Sequence, residues 1–341
     1  MKVYLVHKKI LQSNRGVALL IAVTVISLLV AVTLQFSKDM RQELVGSANM
    51  LSASKMNAMV KSGYNLGEAV LLQDGKDNTF DTVHDSWTEI GTNSLAQLFG
   101  SGKLEVLITD LGGRLQINGL VNSSGQKNGA AVAKSTRDTL LRLLQSGDLG
   151  DISDEEAALI VDAITDWIDA DDQESGIEET ESSYYLSREP SYSSNNAPIE
   201  FIEDLLLVRG ISADLYYGNS EHKGLRELVT VYGNDGKINI NTAPAAVLKA
   251  LDTNMSDELA GNMIEFRKDK DNKDLLQNSN WYKSIQQWPG YVTLDANSIA
   301  TSSSYFRILA VAENNDMEKT LEATVNRLSN GKIRMLSRKV E

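Results

Sequence analysis

The 341-residue chain contains no cysteine. That excludes a disulfide scaffold, a cysteine-ligated zinc or iron–sulfur centre, and a cysteine nucleophile. Its three histidines, His7, His84 and His222, are far apart in sequence, which argues against a multi-histidine metal site and a Ser-His-Asp triad. Only four prolines occur, the first at Pro190, so the N-terminal half is free to form long helices. Positive charge is in deficit: 33 Lys and Arg stand against 46 Asp and Glu, a net charge of −13. Such a chain is a poor partner for nucleic acid. Walker-type and glycine-rich dinucleotide loops are not evident. What the chain does have is an ordinary globular share of apolar residues, 42%, and length for two or three domains.

Residues 1–16 carry Lys2, Lys8, Lys9 and Arg15 and no acid, and residues 17–37, VALLIAVTVISLLVAVTLQFS, carry no charge. At about 1.5 Å per residue this apolar run spans roughly 30 Å, the hydrocarbon thickness of a bilayer. The basic leader is expected to stay in the cytoplasm, with the bulk of the chain outside. A secretory signal peptide competes, but its apolar region is usually about 7–15 residues and ends in a small-residue cleavage site; this run is longer and lacks an A-x-A-like end. The junction Arg15-Gly16, followed at once by the apolar run, resembles a type IV prepilin leader. The resemblance implies cleavage by a membrane aspartyl peptidase between Gly16 and Val17. Ile21 then stands fifth in the mature chain, where that family normally has glutamate.

From Lys38 to about Leu72 apolar residues recur at three- and four-residue steps, among them Met40, Leu44, Leu51, Val60 and Leu66. This predicts that the membrane helix continues as an amphipathic rod. Residues 75–102 read as loop. LEVLITDLGGRLQING (104–119) reads as two strands around a turn, and LVTVYGNDGKININ (228–241) as a hairpin turning at Asn234-Asp235-Gly236. YFRILAVAEN, KTLEATVNRL and KIRMLSRK are three further strands near the C-terminus. Sheet pieces therefore lie at both ends of a largely helical block. The expected organisation is a leader (1–16), a membrane helix (17–37), its continuation (38–72), the first part of an α/β domain (73–118), a helical insertion (119–300) and closing strands (301–341).

Asp148 to Asp204 holds eighteen acids and one base, Arg188, a balance of −17. Without the +4 leader the chain also carries −17, so the acidic excess equals that of this one stretch. Such a block repels itself unless something binds it. Its centre, ITDWIDADDQESGIEETESSYYLSREP, clusters Asp166, Asp169, Asp171 and Asp172, followed by Glu174, Glu178, Glu179 and Glu181. Carboxylates without His or Cys select a hard cation, and calcium takes six to eight oxygens at about 2.3–2.6 Å in irregular loops. The spacing is not that of an EF-hand. A solvated acidic loop and a paired-carboxylate hydrolase are the alternatives, the latter needing a cleft that nothing in the sequence indicates.

The run DWIDAD, the acidic Glu–Tyr segment after it, LLLVRGI, GKININTAPAAVLKAL and the tail with SYFRILA together resemble the K-type minor pseudopilins of the bacterial type II secretion system, over nearly the whole chain. The family segment reads approximately D-W-x-D-x-D, a short loop, then G-A-E-D-x-x-Y. The resemblance implies an α+β pseudopilin fold: a long N-terminal helix packed on a small antiparallel sheet, with a large, mainly helical insertion. It also implies calcium in that insertion. Asp169 and Asp171 sit in the matched run, with Asp172 beside them. Anchoring on Gly176 points to Glu178 and Glu179 as further ligands; anchoring on Tyr184-Tyr185 points to Glu181 and is preferred, because ETESSYY then matches in length. Trp167 is expected as a core anchor beneath the loop.

IEDLLLVRGIS and TAPAAVLKALDTNMSDELAGNMIEFRK look like helix-hairpin-helix pieces. In acidic surroundings they are read as scaffold and not as phosphate binders, with Thr242 as an N-cap and Pro244 in the first turn. The implied function is structural, not enzymatic. The chain would sit in the bacterial inner membrane with its body in the periplasm, and would join the I- and J-type minor pseudopilins in a tip complex that initiates pseudopilus assembly and supports export of folded proteins. The major pseudopilin, the inner-membrane secretion platform and prepilin peptidase are the other implied partners. An apolar Ile21 fits a subunit with none above it, since burying an unpaired glutamate in the membrane is costly. A membrane-anchored, divalent-metal-dependent hydrolase and a minor pilin of a type IV pilus are the competing readings.

Overall fold

A computed structural model describes residues 14–90, 102–121, 129–170, 182–314 and 317–341. The helices in chain order are α1 (Asn14–Asp77), α2 (Gly129–Leu144), α3 (Asp154–Ile168), α4 (Ser182–Leu186), α5 (Ala213–Tyr217), α6 (Leu225–Leu228), α7 (Ala245–Ala250) and α8 (Asp257–Lys268). The strands are β1 (Lys103–Asp110), β2 (Leu115–Gln116), β3 (Val229–Thr230), β4 (Ile238–Asn239), β5 (Ile299–Ala300), β6 (Tyr305–Asn314), β7 (Met317–Arg327) and β8 (Ile333–Val340).

The chain divides into two units, Met1–Ala58 and Met59–Glu341. In the first, the apolar side chains of α1 from Val17 to Phe36 are exposed. Among the described residues α1 is the one helix long and apolar enough to cross a membrane. Thr24 Oγ1 donates to Leu20 O (2.7 Å) and Thr33 Oγ1 to Leu29 O (2.9 Å). A helix meets its backbone hydrogen bonds internally, and these two hydroxyls are satisfied by bonding back to the helix's own carbonyls.

In the second unit, the end of α1 lies on a four-stranded antiparallel sheet of order β1-β6-β7-β8. Period-two alternation turns Leu104, Val106 and Ile108 of β1 inward, together with Phe306, Ile308, Ala310 and Ala312 of β6 and Leu321, Ala323 and Val325 of β7. Met59, Val60, Tyr64 and Leu71 of α1 are buried with them. Gly63 and Gly67, one turn apart, let the helix approach closely. A Cβ on Gly67 would meet Ile308 Cγ2 at 2.9 Å, and one on Gly63 would meet Ala310 Cβ at 3.0 Å. This is the helix-on-sheet arrangement expected from the sequence, and β6, β7 and β8 coincide with the three closing strands read there to within two residues at each end.

β1 and β6 are paired directly, Asp110 opposite Phe306, so the chain leaves the sheet after Asp110 and returns at Tyr305. Everything between is inserted and has a separate core built around Leu140, Ile160, Trp167, Tyr185, Leu225, Val247, Met263 and Trp281. The insertion therefore takes in residues 111–118, which the sequence reading had placed with the sheet.

Two expected hairpins are absent. Leu115–Gln116 does not fold back on β1 but pairs, parallel, with Val229–Thr230. The alternation of Leu115 and Ile117 records burial in the insertion core, not a partner strand. The Asn234-Asp235-Gly236 turn exists, but its arms are splayed by Gln116. That side chain donates from Nε2 to Asp235 Oδ1 and Lys237 O, both at 2.9 Å, and accepts from Gly236 N at 3.1 Å. β3 is thus left to β2, and β4 pairs with β5. Thr242 does not cap α7, whose N-cap is Pro244 without a side-chain bond; its hydroxyl is used elsewhere.

Candidate functional site

Two sites emerge from these elements. The first is the base of the acidic segment. Ser153 caps α3 by accepting from Glu156 N at 3.2 Å, and Asp154, Glu155 and Glu156 fill the first turn, where carboxylates are favoured by the helix dipole. α3 ends at Ile168, and Asp169 N closes it by donating to Thr165 O at 3.0 Å. Asp166 and Trp167 are buried in the last turn. The Trp167 ring meets Tyr185 of α4 edge-on at 4.9 Å and Tyr192 at 6.2 Å. Tyr185 OH accepts from Arg209 N at 3.3 Å, and burial pushes this phenol up to about 12. Tyr184 lies under two guanidinium groups, Arg209 at 4.6 Å and Arg188 at 5.3 Å. Trp167 is therefore buried as a core anchor, and it ties the end of α3 to the start of α4; the loop it is expected to lie beneath falls in residues 171–181, outside the described residues.

Of the expected ligands, Asp169 stands at this α3 terminus, half-buried. Asp171, Asp172, Glu178, Glu179 and Glu181 fall in residues 171–181 and lie outside the described residues. Gly16 and Val17 occupy the first turn of α1, both exposed.

The second site was not marked by sequence reasoning. It is a buried polar seam where the chain passes between sheet and insertion. Asp110, the last residue of β1, accepts four hydrogen bonds: Gly112 N at 2.7 Å on Oδ1, and Ser303 Oγ (2.6 Å), Thr242 Oγ1 (2.6 Å) and Asn239 Nδ2 (3.1 Å) on Oδ2. Burial pushes its carboxyl up, and these four donors oppose that push by favouring the ionised form. Ser303 also donates its backbone N–H to Asp81 Oδ2 at 2.7 Å. Arg327 of β7 reaches across with Nη1 on Asp74 Oδ2 (2.8 Å) and Nη2 on Asp81 Oδ1 (2.5 Å). Burial pushes Asp81 up to about 7, against the pull of Arg327.

The carboxylates of Asp74, Asp81 and Asp85 lie within 4.8 Å of one another. Their counter-cations are side chains of this protein: Arg327 for the first two, and Lys273 Nζ, 3.2 Å from Asp85. The strap after α1 is also stitched to the insertion, by Asp81 N on Thr301 O at 2.8 Å and by His84 Nε2 with Arg267 O at 2.8 Å. One local signal for this seam existed in the sequence. Asp followed by Leu-Gly-Gly is an Asx-type turn, and the Gly112 N–H does bond the Asp110 side chain.

A family model described as "Type II secretion system (T2SS), protein K" matches residues 113–234, and a second model with the same description matches residues 238–296. Type II secretion system protein K of Pseudomonas aeruginosa is 27% identical over 333 residues, 96% of this chain and 93% of that protein. The protein of the same description from Aeromonas hydrophila is 28% identical over 341 residues, 95% of this chain and 96% of that one. A chain of the crystal structure of the GspK-GspI-GspJ complex from the enterotoxigenic Escherichia coli type 2 secretion system superposes with a TM-score of 0.63 at 19% identity. That superposition covers 86% of this chain and 99% of the other.

Proposed function

The chain belongs to the type II secretion system protein K family, and from that premise we propose that it acts as a minor pseudopilin at the tip of the pseudopilus. It is membrane-anchored through α1. In this reading residues 17–37 sit in the bacterial inner membrane and the sheet and insertion stand in the periplasm, after prepilin peptidase has cut between Gly16 and Val17. I- and J-type minor pseudopilins are its direct partners, as GspI and GspJ accompany GspK in the similar structure. The major pseudopilin and the inner-membrane platform follow below.

The observation that carries this reading is the insertion itself. A body with its own core is spliced into one edge-strand connection of a helix-on-sheet module, between Asp110 and Tyr305. A bulky inserted body would hinder a further subunit from stacking on this one. Ile21, exposed on α1, agrees: no glutamate is needed when no ammonium group arrives from above. The role is structural. The buried carboxylates of the seam are engaged by Arg327, Lys273 and neutral donors, which is how a scaffold uses them.

The acidic segment is proposed to hold calcium through Asp169, Asp171, Asp172, Glu178, Glu179 and Glu181. The donors are all oxygen, as a hard cation requires. The aromatic floor fixes both ends of an eleven-residue segment with six acids, so cation binding closes a loop that otherwise repels itself.

Photo-crosslinkers placed along α1 in cells test the assignment. Adducts with the I- and J-type subunits, confined to one end of the pseudopilus, are expected, together with loss of exoprotein export on deletion of the gene. Adducts distributed along the filament, or export that survives deletion, would overturn it.

A further inference from the structure

The seam between strap, sheet and insertion contains more acid than its counter-charges balance. Among the described residues, four carboxyl groups, Asp74, Asp81, Asp85 and Asp110, are met by two cations in direct ion pairs, Arg327 and Lys273, while Arg114 acts on Asp110 through space without a direct ion pair. All four acids are buried. The groups facing Asp81 come from every element around it: Asp74 from α1, His84 and Asp85 from the strap itself, Asp110 from β1, Arg327 from β7, Lys273 from the 3-10 turn Lys270–Gln277, and Arg267 from α8. Arg267 is itself turned to Ile240 O at 2.8 Å and does not neutralise the cluster.

The four acids are not equivalent. Asp110 is surrounded by four neutral donors, a setting made for an ion. Asp85 accepts Thr82 N at 2.6 Å and has Lys273. Asp74 has Arg327 and accepts from Asn78 Nδ2 at 2.8 Å. Asp81 shares the single Arg327 guanidinium with Asp74 and has one further donor, the Ser303 N–H. It also stands next to Asp110, joined to it through the two ends of Ser303. Asp81 is therefore the place where one proton removes the excess charge at least cost in hydrogen bonds.

We propose that Asp81, with Arg327, Ser303 and Asp110, forms a proton-sensitive latch that holds the inserted body to the helix-and-sheet module more tightly as the surroundings become more acidic. The direction follows from linkage. Burial, followed by the proximity of Asp110, holds Asp81 up at about 7 in the folded chain, above its ordinary 3.8 and against the opposing pull of Arg327 and the Ser303 N–H. A carboxyl raised by folding holds its proton preferentially in the closed seam. Its contribution is full below the unfolded value and is lost as pH rises through the folded one. The working window thus lies between about pH 4 and about pH 7, a range that a compartment open to the exterior experiences.

The test is hydrogen exchange, read by mass spectrometry on the full chain in detergent micelles, with protection factors corrected for intrinsic rates. Peptides covering Asp81 N and Ser303 N report the seam. Expected protection is level below about pH 4, falls by up to about tenfold per pH unit between about pH 4 and about pH 7, and levels off above that. Asp81→Asn, which keeps the shape but cannot ionise, should hold these peptides level across the range. His84→Asn should leave the fall in place. Infrared difference spectra of the unmodified chain give a second measurement that needs no variant: a protonated carboxyl band at about pH 6 should vanish by about pH 8.5. Level protection in the unmodified chain, a fall that persists in Asp81→Asn, a fall abolished by His84→Asn, or the missing carboxyl band would each overturn the latch.

Discussion

Replacing Asp110 by alanine removes the acceptor at the centre of the seam. Of its four donors, two have other acceptors nearby: Thr242 Oγ1 has Asn239 O at 3.4 Å, and Asn239 Nδ2 has Ser303 Oγ at 2.9 Å and Asp81 O at 3.3 Å. The Gly112 N–H and the Ser303 hydroxyl do not regain a comparable partner. An unmet buried donor costs about 1–3 kcal/mol, and relief from carrying a buried carboxylate offsets part of the total. The net loss expected for Asp110→Ala is about 2–4 kcal/mol. Asp110→Asn keeps the volume and one acceptor, and the two hydroxyls can turn to accept from its amide, so about 1–2 kcal/mol is expected. Glu265→Ala is the control: its side chain is 76% exposed in a pair with Lys268, worth about 0–0.5 kcal/mol. Urea unfolding of the detergent-solubilised chain measures all three, with tryptophan fluorescence following Trp87 beside Phe306 in the sheet core and Trp281 in the insertion core. Separate midpoints from the two probes would mark independent melting of sheet and insertion. An Asp110→Ala variant within about 0.5 kcal/mol of the unmodified chain would refute the seam as a source of stability.

Trp167→Ala should destabilise the insertion by about 3–5 kcal/mol and weaken calcium binding by calorimetry, with Trp167→Phe restoring most of both, because the ring is the floor joining α3 to α4. Calcium at about one hundred times its Kd should raise stability by about 2.7 kcal/mol, and chelation should reverse it; a joint Asp169→Ala and Asp171→Ala change should abolish the calcium shift of Tm while leaving a folded protein. Gly67→Val puts a branched side chain where a Cβ already meets Ile308 at 2.9 Å, and should cost about 1–3 kcal/mol in urea unfolding.

Much of this protein can be read along the chain. The uncharged run 17–37 reports its solvent by length alone, since a helix must cross a fixed thickness of hydrocarbon. β6 is legible because it alternates over most of its length between a buried and a wetter face, whereas β7 and β8 are marked by their β-branched and apolar residues between the turns that bound them. Trp167 is legible as an anchor because a large ring within an acidic run has nowhere else to go. In all three, the signal is contained in neighbouring residues.

What the tertiary structure alone decided has the opposite character. Alternation at Leu115 and Ile117 states that one side is buried, and is silent about which strand lies alongside; Gln116, wedged into the turn at Asp235, settles that and splays the expected hairpin. The close approach at Gly63 and Gly67 is a property of Ile308 and Ala310, far away in sequence. The seam draws Asp74, Asp81, Asp110, Asn239, Thr242, Ser303 and Arg327 from positions up to 253 residues apart. Each is unremarkable where it stands, an Asp at the end of a strand or a Ser in a loop. Their value arises from burial together, which raises the strength of every hydrogen bond among them and the cost of every one left unmade. Periodicity records the solvent a residue sees, and only folding determines which polar groups must satisfy one another once the solvent is gone.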